Sequence, residues 1–340
     1  MTDPVFFIAE AGVNHNGDLN LALRLVDVAH RAGADAVKFQ TFRTEAVIAD
    51  DAPLAEYQKA HAGAPSAIEM LKGFELPNAD FARIADHCRA VGIEFMSSPF
   101  DLESAAFLAG IGMTKFKLAS GEITHTAFVR GVARLAADAG GSVILSTGMS
   151  TLEEVAEAVG WISAEGDPSL TILHCVSNYP APAGDANLRA MDTLAKTFGR
   201  PVGWSDHTLG DAVSLAAVAR GARVVEKHFT LDNALAGPDH AMSMDPDGLA
   251  RLIASIRSVE ASLGDGVKRP VAAEREIMTV ARRSLFAARD IAAGAVVVET
   301  DLIALRPGDG VSPSRLEDIV GRTARIAMPR GTKVQIADLI

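Results

Sequence analysis

The feature that most constrains the fold of this chain is a series of short apolar segments that alternate with helical patterns. Each apolar segment has the length and β-rich composition of a strand, and the residues after it show the apolar spacing of an amphipathic helix. The eight predicted strands are residues 5–9, 36–39, 93–96, 115–118, 143–145, 171–174, 201–204 and 223–226. Eight strand–helix units in series favour an α/β fold of the (β/α)₈ TIM-barrel type, with an open eight-stranded sheet as the alternative.

Glycines mark the ends of several predicted helices. Gly33, Gly92 and Gly221 each follow a helical pattern and precede a strand, where a helix needs a left-handed residue in order to stop. The connection from residue 41 to residue 78 is longer than is usual between a strand and a helix. Such a connection predicts a lid or extra helices over the functional site.

The pattern changes after residue 265, where short strands and Gly- and Pro-rich turns replace the strand–helix repeat. We therefore predict a barrel domain over residues 1–265, a linker over 266–281 and a small C-terminal module over 282–340. A module of this size buries little core, so we expect it to dock on another surface.

Composition excludes several classes of function. The net charge of −11 argues against a nucleic-acid partner, because binders of phosphate polymers carry a basic excess. The only two cysteines, Cys88 and Cys175, make a disulfide scaffold improbable and favour an intracellular protein. No secretory leader and no run of 18 apolar residues is visible, so we expect a cytoplasmic protein without a membrane partner.

Polar residues follow nearly every predicted strand, at the end of the barrel where (β/α)₈ enzymes carry their chemistry. Taken singly, a serine or aspartate there is more often a helix cap, and a lysine is usually solvated. Lys38 and Lys117, however, would both lie at the barrel mouth, where an unpaired ammonium is costly. We expect them to bind an anion together with Ser98 and Ser146. A small, doubly anionic substrate such as a phosphorylated carboxylate would fit.

Two histidines, His207 and His228, end neighbouring predicted strands. Imidazole is a suitable ligand for Mn²⁺, Fe²⁺, Co²⁺ or Zn²⁺. A metal held by two histidines keeps open positions at which it can polarise a carbonyl oxygen. From spacing alone, a structural role for these histidines stays equally open, and His15, His125, His174 and His240 are weaker candidates.

These segments resemble one known family, the sialic-acid synthases. The motifs that carry the resemblance are IAEAGVNHNG (8–17), VKFQT (37–41), KLASGE (117–122), LSTGM (145–149), HC (174–175), WSDHT (204–208), EKHFT (226–230) and GPDH (237–240). In the tail, RRS (282–284) and LRPG (305–308) resemble the antifreeze-like SAF module of these enzymes. The resemblance covers essentially the whole chain.

The resemblance implies a role for each matched residue. It implies Mn²⁺ held by His207 and His228, and catalytic roles for Glu10, Glu122 and Asp239, with Glu10 or Glu122 as the base. Residues implied to hold phosphoenolpyruvate are Lys38, Gln40, Ser98, Lys117, Ser120, Ser146 and Ser205. Residues implied to contact the sugar are Ser177, Tyr179, Asp239 and Arg306. It also implies a domain-swapped homodimer, in which Arg306 reaches the partner's barrel.

The implied reaction condenses phosphoenolpyruvate with N-acetylmannosamine, or a related acylamino-hexose, and water, giving a nine-carbon sialic acid and phosphate. The alternative sugar is a 2,4-diacetamido-2,4,6-trideoxy hexose, the substrate of legionaminic and pseudaminic acid synthases. Ser177 stands where neuraminate synthases often have Asn, which leaves the sugar open. A metal-dependent pyruvate aldolase is a second class of enzyme, although two lysines suited to phosphate argue against it. A non-catalytic sugar- or ice-binding protein is a third reading.

Overall fold

The structure, a computed structural model, describes residues 3–49, 52 and 66–340. Its first unit, Met1–Asp265, contains eight parallel strands. The strands, β1 to β8 in chain order, are Phe6–Gly12, Ala36–Thr41, Glu94–Pro99, Lys115–Leu118, Ser142–Ser146, Ser169–Cys175, Val202–Asp206 and Val224–His228. They lie in the order β3-β2-β1-β8-β7-β6-β5-β4, and the two end strands contact each other. The predicted (β/α)₈ barrel is confirmed.

Helices surround these strands and bury their apolar faces against them. The described helices of this unit, α1 to α10, are Leu19–Ala32, Thr44–Val47, Ala67–Phe74, Asn78–Val91, Leu102–Gly110, Thr126–Asp138, Leu152–Ala164, Ala190–Phe198, Ala212–Ala219 and Pro246–Leu263. The glycine stops are confirmed: Gly33, Gly92 and Gly221 have φ angles of 84°, 85° and 97°. The long connection after β2 contains α2 and α3, while residues 50–51 and 53–65 lie outside the described part.

Strand parity separates an apolar floor inside the barrel from a polar layer above it. The floor is a small cluster of buried side chains: Ile8, Ala36, Met96, Ile144, Leu173 and Val224. Successive side chains of a strand point to opposite faces, so the residue two positions later points into the barrel again. Those later residues are Glu10, Lys38, Ser98, Ser146, Cys175 and Glu226. The barrel is therefore closed by apolar packing below and lined by polar groups at its mouth.

The second unit, Gly266–Ile340, has its own small core around Leu285, Val297, Met328 and Val334. It contains helix α11, Glu274–Ala281, and two antiparallel strands, β9 (Ser284–Ala287) and β10 (Leu302–Leu305). Residues 266–281, predicted as a linker, thus include a helix and group with the C-terminal module. In the described part of the chain, no helix combines the length and apolar character needed to cross a membrane.

Candidate active site

A cavity of about 390 Å³ opens at the carboxyl ends of the strands. The predicted site residues that line it are Glu10, Lys38, Gln40, Ser98, Lys117, Ser120, Ser146, Ser177, Tyr179, Ser205, His207 and His228. Asp239 lines two adjoining cavities together with Tyr179 and His228. The barrel thus brings together side chains from distant parts of the sequence.

Among the predicted site residues of the first unit, one stands apart from this cavity. Glu122 does not line it, and its carboxylate lies 3.5 Å from the exposed His125 ring instead. Of the two candidate bases, Glu10 is therefore the better placed. Arg306 is an exposed residue of the second unit, just after β10.

Four buried charges occupy the base of the cavity, and we call Glu10, Lys38, Lys117 and Glu226 the site cluster. Lys38 Nζ lies 2.7 Å from Glu10 Oε2 and 3.6 Å from Glu226 Oε2. Lys117 Nζ lies 3.7 Å from Glu226 Oε1. The expectation that the lysines depend on a bound anion was incomplete, because the chain itself supplies two carboxylates.

Glu226 is a residue of the site to which the sequence analysis assigned no role. It is 5 % exposed, and Ser205 Oγ donates a hydrogen bond of 2.8 Å to its Oε1. Parity could have revealed it, since Glu226 is two residues before His228 on β8 and points the same way. Cys175 lines the same cavity, with its Sγ 3.7 Å from His207 Nδ1.

The two carboxylates of the site cluster have very different proton affinities. Burial raises the pKa of Glu10 to about 7, although Lys38 opposes the shift. Burial also disfavours the charged form of Glu226, but Lys117 and Lys38 outweigh it and hold its pKa at about 2. A pair of carboxyls with separated pKa values is typical of acid–base sites. Glu10 can therefore exchange a proton near neutral pH, whereas Glu226 stays ionised.

His207 and His228 lie close enough to share one ligand, with ring centroids 5.6 Å apart. His207 Nδ1 donates to the Val176 carbonyl at 2.7 Å, which orients the ring and leaves Nε2 free to act as a metal ligand. His228 Nδ1 is buried without a hydrogen-bond partner and lies 4.0 Å from Asp239 Oδ2. In the described ranges no group of three or more His, Cys, Asp or Glu forms a full metal site. The two imidazoles fit a divalent ion as a partial ligand set, which water and substrate would complete.

The weaker histidine candidates have structural partners. His174 Nε2 donates to the Ala186 carbonyl at 2.9 Å, and His15 Nδ1 accepts a hydrogen bond from the Gly17 amide. His240 lies between Thr230 Oγ1, at 2.6 Å, and Asn16 Oδ1, at 3.2 Å. The contact of His240 with Asn16 ties the loops that follow β1 and β8 to each other.

A second buried ion pair lies beside the two site histidines, and we call Asp206, Thr208, Ser214 and Lys227 the brace. Lys227 Nζ donates to Asp206 Oδ2 at 2.8 Å and to the Thr208 carbonyl at 2.7 Å. The Asp206 carboxylate also accepts from the Thr208 amide and hydroxyl and from Ser214 Oγ. The brace thus links the ends of β7 and β8, which carry His207 and His228.

The fold and the cavity together define a (β/α)₈-barrel enzyme with a cationic, acid–base-competent site. The sequence profile of the NeuB family matches residues 25–268, and that of the SAF domain matches residues 282–340. The chain belongs to the NeuB family, as its resemblance to the sialic-acid synthases predicted. The prediction of an enzyme of this class is confirmed as well.

Individual relatives extend this finding to nearly the full length of the chain. The N,N'-diacetyllegionaminic acid synthase of Legionella pneumophila is 46 % identical over 96 % of this chain and 92 % of its own length. The Campylobacter jejuni enzyme of the same name is 43 % identical over 93 % and 95 %. Among solved structures, the N-acetylneuraminic acid synthetase of Leptospira borgpetersenii is 36 % identical, with a TM-score of 0.70 over 81 % of this chain and 90 % of that one.

Proposed function

We propose that this protein is a legionaminic-acid-type synthase that condenses phosphoenolpyruvate with a 2,4-diacetamido-2,4,6-trideoxy hexose and water. The observation that carries the proposal is the identity of 46 % and 43 % to two legionaminic acid synthases, against 36 % to a neuraminic acid synthetase. This ranking supports the alternative sugar above N-acetylmannosamine. The products are a nine-carbon 2-keto acid and phosphate.

The donor site of the proposal is the cationic part of the cavity. Lys38 and Lys117 are each 3 % exposed, so an anion bound between them would be largely shielded from water. Ser146 Oγ is buried without a hydrogen-bond partner and can donate to a phosphate or carboxylate oxygen. Gln40, Ser98, Ser120 and Ser205 line the same cavity. These groups would hold the enol with its C3 toward the aldehyde, and orientation alone contributes several kcal/mol, on the order of 7 or more in favourable cases.

The reaction forms one carbon–carbon bond between the two substrates and cleaves the carbon–oxygen bond that joins C2 to phosphate. C3 of the enol phosphate attacks the aldehyde carbon, the aldehyde oxygen takes up a proton from solvent, and an oxocarbenium ion forms at C2 of the donor. Water adds to C2 and transfers a proton to Glu10, whose pKa of about 7 suits a general base. The C2 hydroxyl of the tetrahedral intermediate then loses its proton to the departing phosphate and becomes the keto group, as the phosphate leaves with its bridging oxygen.

A divalent ion held by His207 and His228, such as Mn²⁺, would supply Lewis-acid polarisation of the aldehyde oxygen. Burial lowers the pKa of His228 well below its usual value, so its imidazole stays neutral, which is the form that binds metals. We expect His207→Ala or His228→Ala to weaken Mn²⁺ binding in a titration followed by electron paramagnetic resonance. Chelation should abolish turnover and Mn²⁺ should restore it, whereas full activity of metal-free protein would remove the metal from the proposal.

The substrate proposal is tested with a panel of acceptors. Phosphoenolpyruvate and Mn²⁺ are combined with the diacetamido sugar or with N-acetylmannosamine, and phosphate release and product mass are measured. We expect the highest kcat/KM with the diacetamido sugar. A clear preference for N-acetylmannosamine would replace legionaminate by neuraminate as the product. Turnover with pyruvate in place of phosphoenolpyruvate would indicate an aldolase.

The proposal includes a domain-swapped homodimer in which Arg306 enters the partner's barrel mouth. Support comes from the family resemblance and from the exposed position of Arg306 after β10. Two impaired variants, Arg306→Ala and Lys117→Ala, are mixed and allowed to exchange subunits. A swapped heterodimer contains one barrel with both residues intact, so activity should recover toward half of wild type per exchanged dimer. No recovery after verified exchange would mean that Arg306 does not act across subunits.

A further inference from the structure

A second cavity, of about 110 Å³, adjoins the reaction site. It shares Gln40, Tyr179 and His228 with the main cavity and adds Asp239 to that polar side. Its volume is well above the roughly 10–15 Å³ that one water-sized group needs, so a substituent of several heavy atoms fits. A ligand bound at His228 can therefore extend into this second cavity, which we call the side pocket.

The rest of the lining of the side pocket forms an apolar wall. It consists of Val13, Met70, Leu71, Phe74 and Pro238. Val13 is 6 % exposed and Met70 is 5 % exposed. The side pocket thus combines hydrogen-bonding groups, three of which also line the reaction site, with a hydrocarbon wall.

Helix α3 supplies most of the apolar wall, and its sequence explains why. Ala67, Met70, Leu71 and Phe74 follow the i, i+3, i+4, i+7 spacing of one helix face. Ser66 caps the helix by accepting from the Glu69 amide, and Glu75, just beyond it, accepts from the amide and hydroxyl of Thr44. The helix is therefore fixed at both ends.

The loop after β1 presses against α3 with no side chain between the two backbones. A Cβ atom built on Gly17, whose φ is +71°, would lie 2.5 Å from the Gly73 carbonyl oxygen. Only glycine permits this approach, which holds α3 close to the loop that carries Val13. The distance between the apolar wall and the reaction site is thus set by the fold.

We propose that the side pocket binds a methyl-bearing substituent of the acceptor sugar, the C4 acetamido group or the C6 methyl, and thereby favours deoxy acetamido sugars over hydroxymethyl sugars. This inference rests on the proposed function and names the part of the site that selects the sugar. A methyl group against Met70, Leu71 and Phe74 is removed from water at no polar cost. A hydroxyl at the same place loses its water and finds no partner on this wall.

The test measures sugar preference in variants of the apolar wall. Two matched comparisons are made, one varying only C6 (methyl or hydroxymethyl) and one varying only C4 (acetamido or hydroxyl), so that they distinguish the two candidate substituents. We expect wild type to favour the methyl-bearing member of at least one pair by roughly tenfold in kcat/KM, and Leu71→Asn to remove most of that ratio. Leu71→Met should keep it, because it conserves volume and apolar character.

Controls separate the side pocket from general damage. Glu69→Ala changes an exposed residue of the same helix and should leave the ratio unchanged. The KM for phosphoenolpyruvate should stay constant in every variant. If substitutions in α3 impair folding, Val13→Thr adds one hydroxyl to the apolar wall from a residue outside α3, with little change in shape, and should reduce the ratio several-fold.

Two outcomes would overturn the inference. One is a folded Leu71→Asn or Val13→Thr variant with wild-type ratios in both pairs, and the other is a wild type without preference in either pair. Failure of the proposed function looks different, because N-acetylmannosamine would then outperform the diacetamido sugar in wild type. The C6 pair can still be measured in that case, as N-acetyl-6-deoxymannosamine against N-acetylmannosamine.

Discussion

The barrel mouth contains two buried groups of charged residues, the brace and the site cluster. They differ in how fully their polar atoms are hydrogen-bonded within the protein. In the brace, Lys227 and Asp206 contact each other at 2.8 Å, and the carboxylate accepts further hydrogen bonds from Thr208 and Ser214. In the site cluster, the Lys38–Glu10 contact is as short, at 2.7 Å, but both contacts to the ionised Glu226 are longer, at 3.6 Å from Lys38 and 3.7 Å from Lys117. Both groups are nearly inaccessible to water, so burial does not distinguish them.

The two groups differ in how many of their donors and acceptors have partners inside the protein. A buried ion pair is stable when its remaining donors and acceptors are satisfied, as they are in the brace. The site cluster places two lysines around one ionised carboxylate, and burial lowers the pKa of Lys117. Such an arrangement gains from an added anion. We therefore expect variants of the brace to lose stability and variants of the site cluster to lose function.

The largest effect is expected from Lys227→Met in the brace. Removal of one partner leaves the buried Asp206 carboxylate without its countercharge, which should lower the free energy of unfolding by about 3–5 kcal/mol. Urea unfolding measures this change. The double variant Asp206→Asn/Lys227→Met should recover part of the loss, because the uncompensated charge is gone. A loss below about 1 kcal/mol would contradict the distinction between the two groups.

The next largest effect is expected from Lys117→Ala in the site cluster. Loss of a charge-assisted contact to the donor anion, worth about 1.5–3 kcal/mol, should raise the KM for phosphoenolpyruvate by roughly 10- to 150-fold. The KM for the sugar should change far less, and the free energy of unfolding should fall less than in Lys227→Met, because Lys38 remains beside Glu226. Lys38→Ala should raise the same KM but also lower stability, since Glu10 loses its 2.7 Å partner. Equal effects on both substrates would show that the donor site has been misplaced.

A smaller effect is expected in the pH dependence of stability. The pKa of Glu10 rises from 4.5 to about 7 on folding, so the folded protein binds more protons than the unfolded chain between these values. The free energy of unfolding should therefore fall as pH rises through that window, by at most about 2 kcal/mol from pH 5 to 6.5. In metal-free protein, Glu10→Gln should remove this component. If the free energy of unfolding depends on pH in the same way in Glu10→Gln, groups other than Glu10 cause that dependence.

The smallest effect is expected from Ser146→Ala. Its Oγ has no hydrogen-bond partner in the protein, so its removal should leave the free energy of unfolding unchanged or slightly higher. The KM for phosphoenolpyruvate should rise by about fivefold, as for the loss of one modest hydrogen bond. The matched control is Ser214→Ala in the brace, which should lower stability with little change in this KM. The reverse result would mean that the two groups have been assigned the wrong roles.

Much of the barrel could be predicted from the sequence, because strand segments, helical spacing and helix-ending glycines depend on residues that are neighbours along the chain. Every predicted strand overlaps the strand found there, and helix α1 fills residues 19–32 between the first two of them. Gly33 and Gly92 stop their helices with left-handed backbone, as expected from their positions. The short segment 266–281 gave no comparable pattern, and its helix α11 was not predicted.

The site was predictable to the extent that strand ends converge in any (β/α)₈ barrel. The sequence placed Glu10, Lys38, Lys117, His207 and His228 at that end. Period-two alternation puts Glu10 on the same face as Ile8 and Lys38 on the same face as Ala36, and the structure shows that this face points into the barrel. Glu122 illustrates the limit of this reasoning. It follows the same strand as Lys117, but a short 3₁₀ turn at Ser120–Glu122 intervenes, and its side chain lies beside His125 rather than in the cavity.

The sequence by itself determined the alternation of strands and helices and which residue types stand at the strand ends, since both depend on neighbours along the chain. Only the tertiary structure decided which of these groups pair. Parallel register places Glu226 beside Ser205 on one side and Ile8 on the other, and barrel closure brings Lys38 and Lys117 to its two oxygens. Whether a buried lysine stabilises the fold or binds a substrate depends on its distances to these carboxylates. They are set by contacts between residues far apart in sequence, which no local pattern encodes.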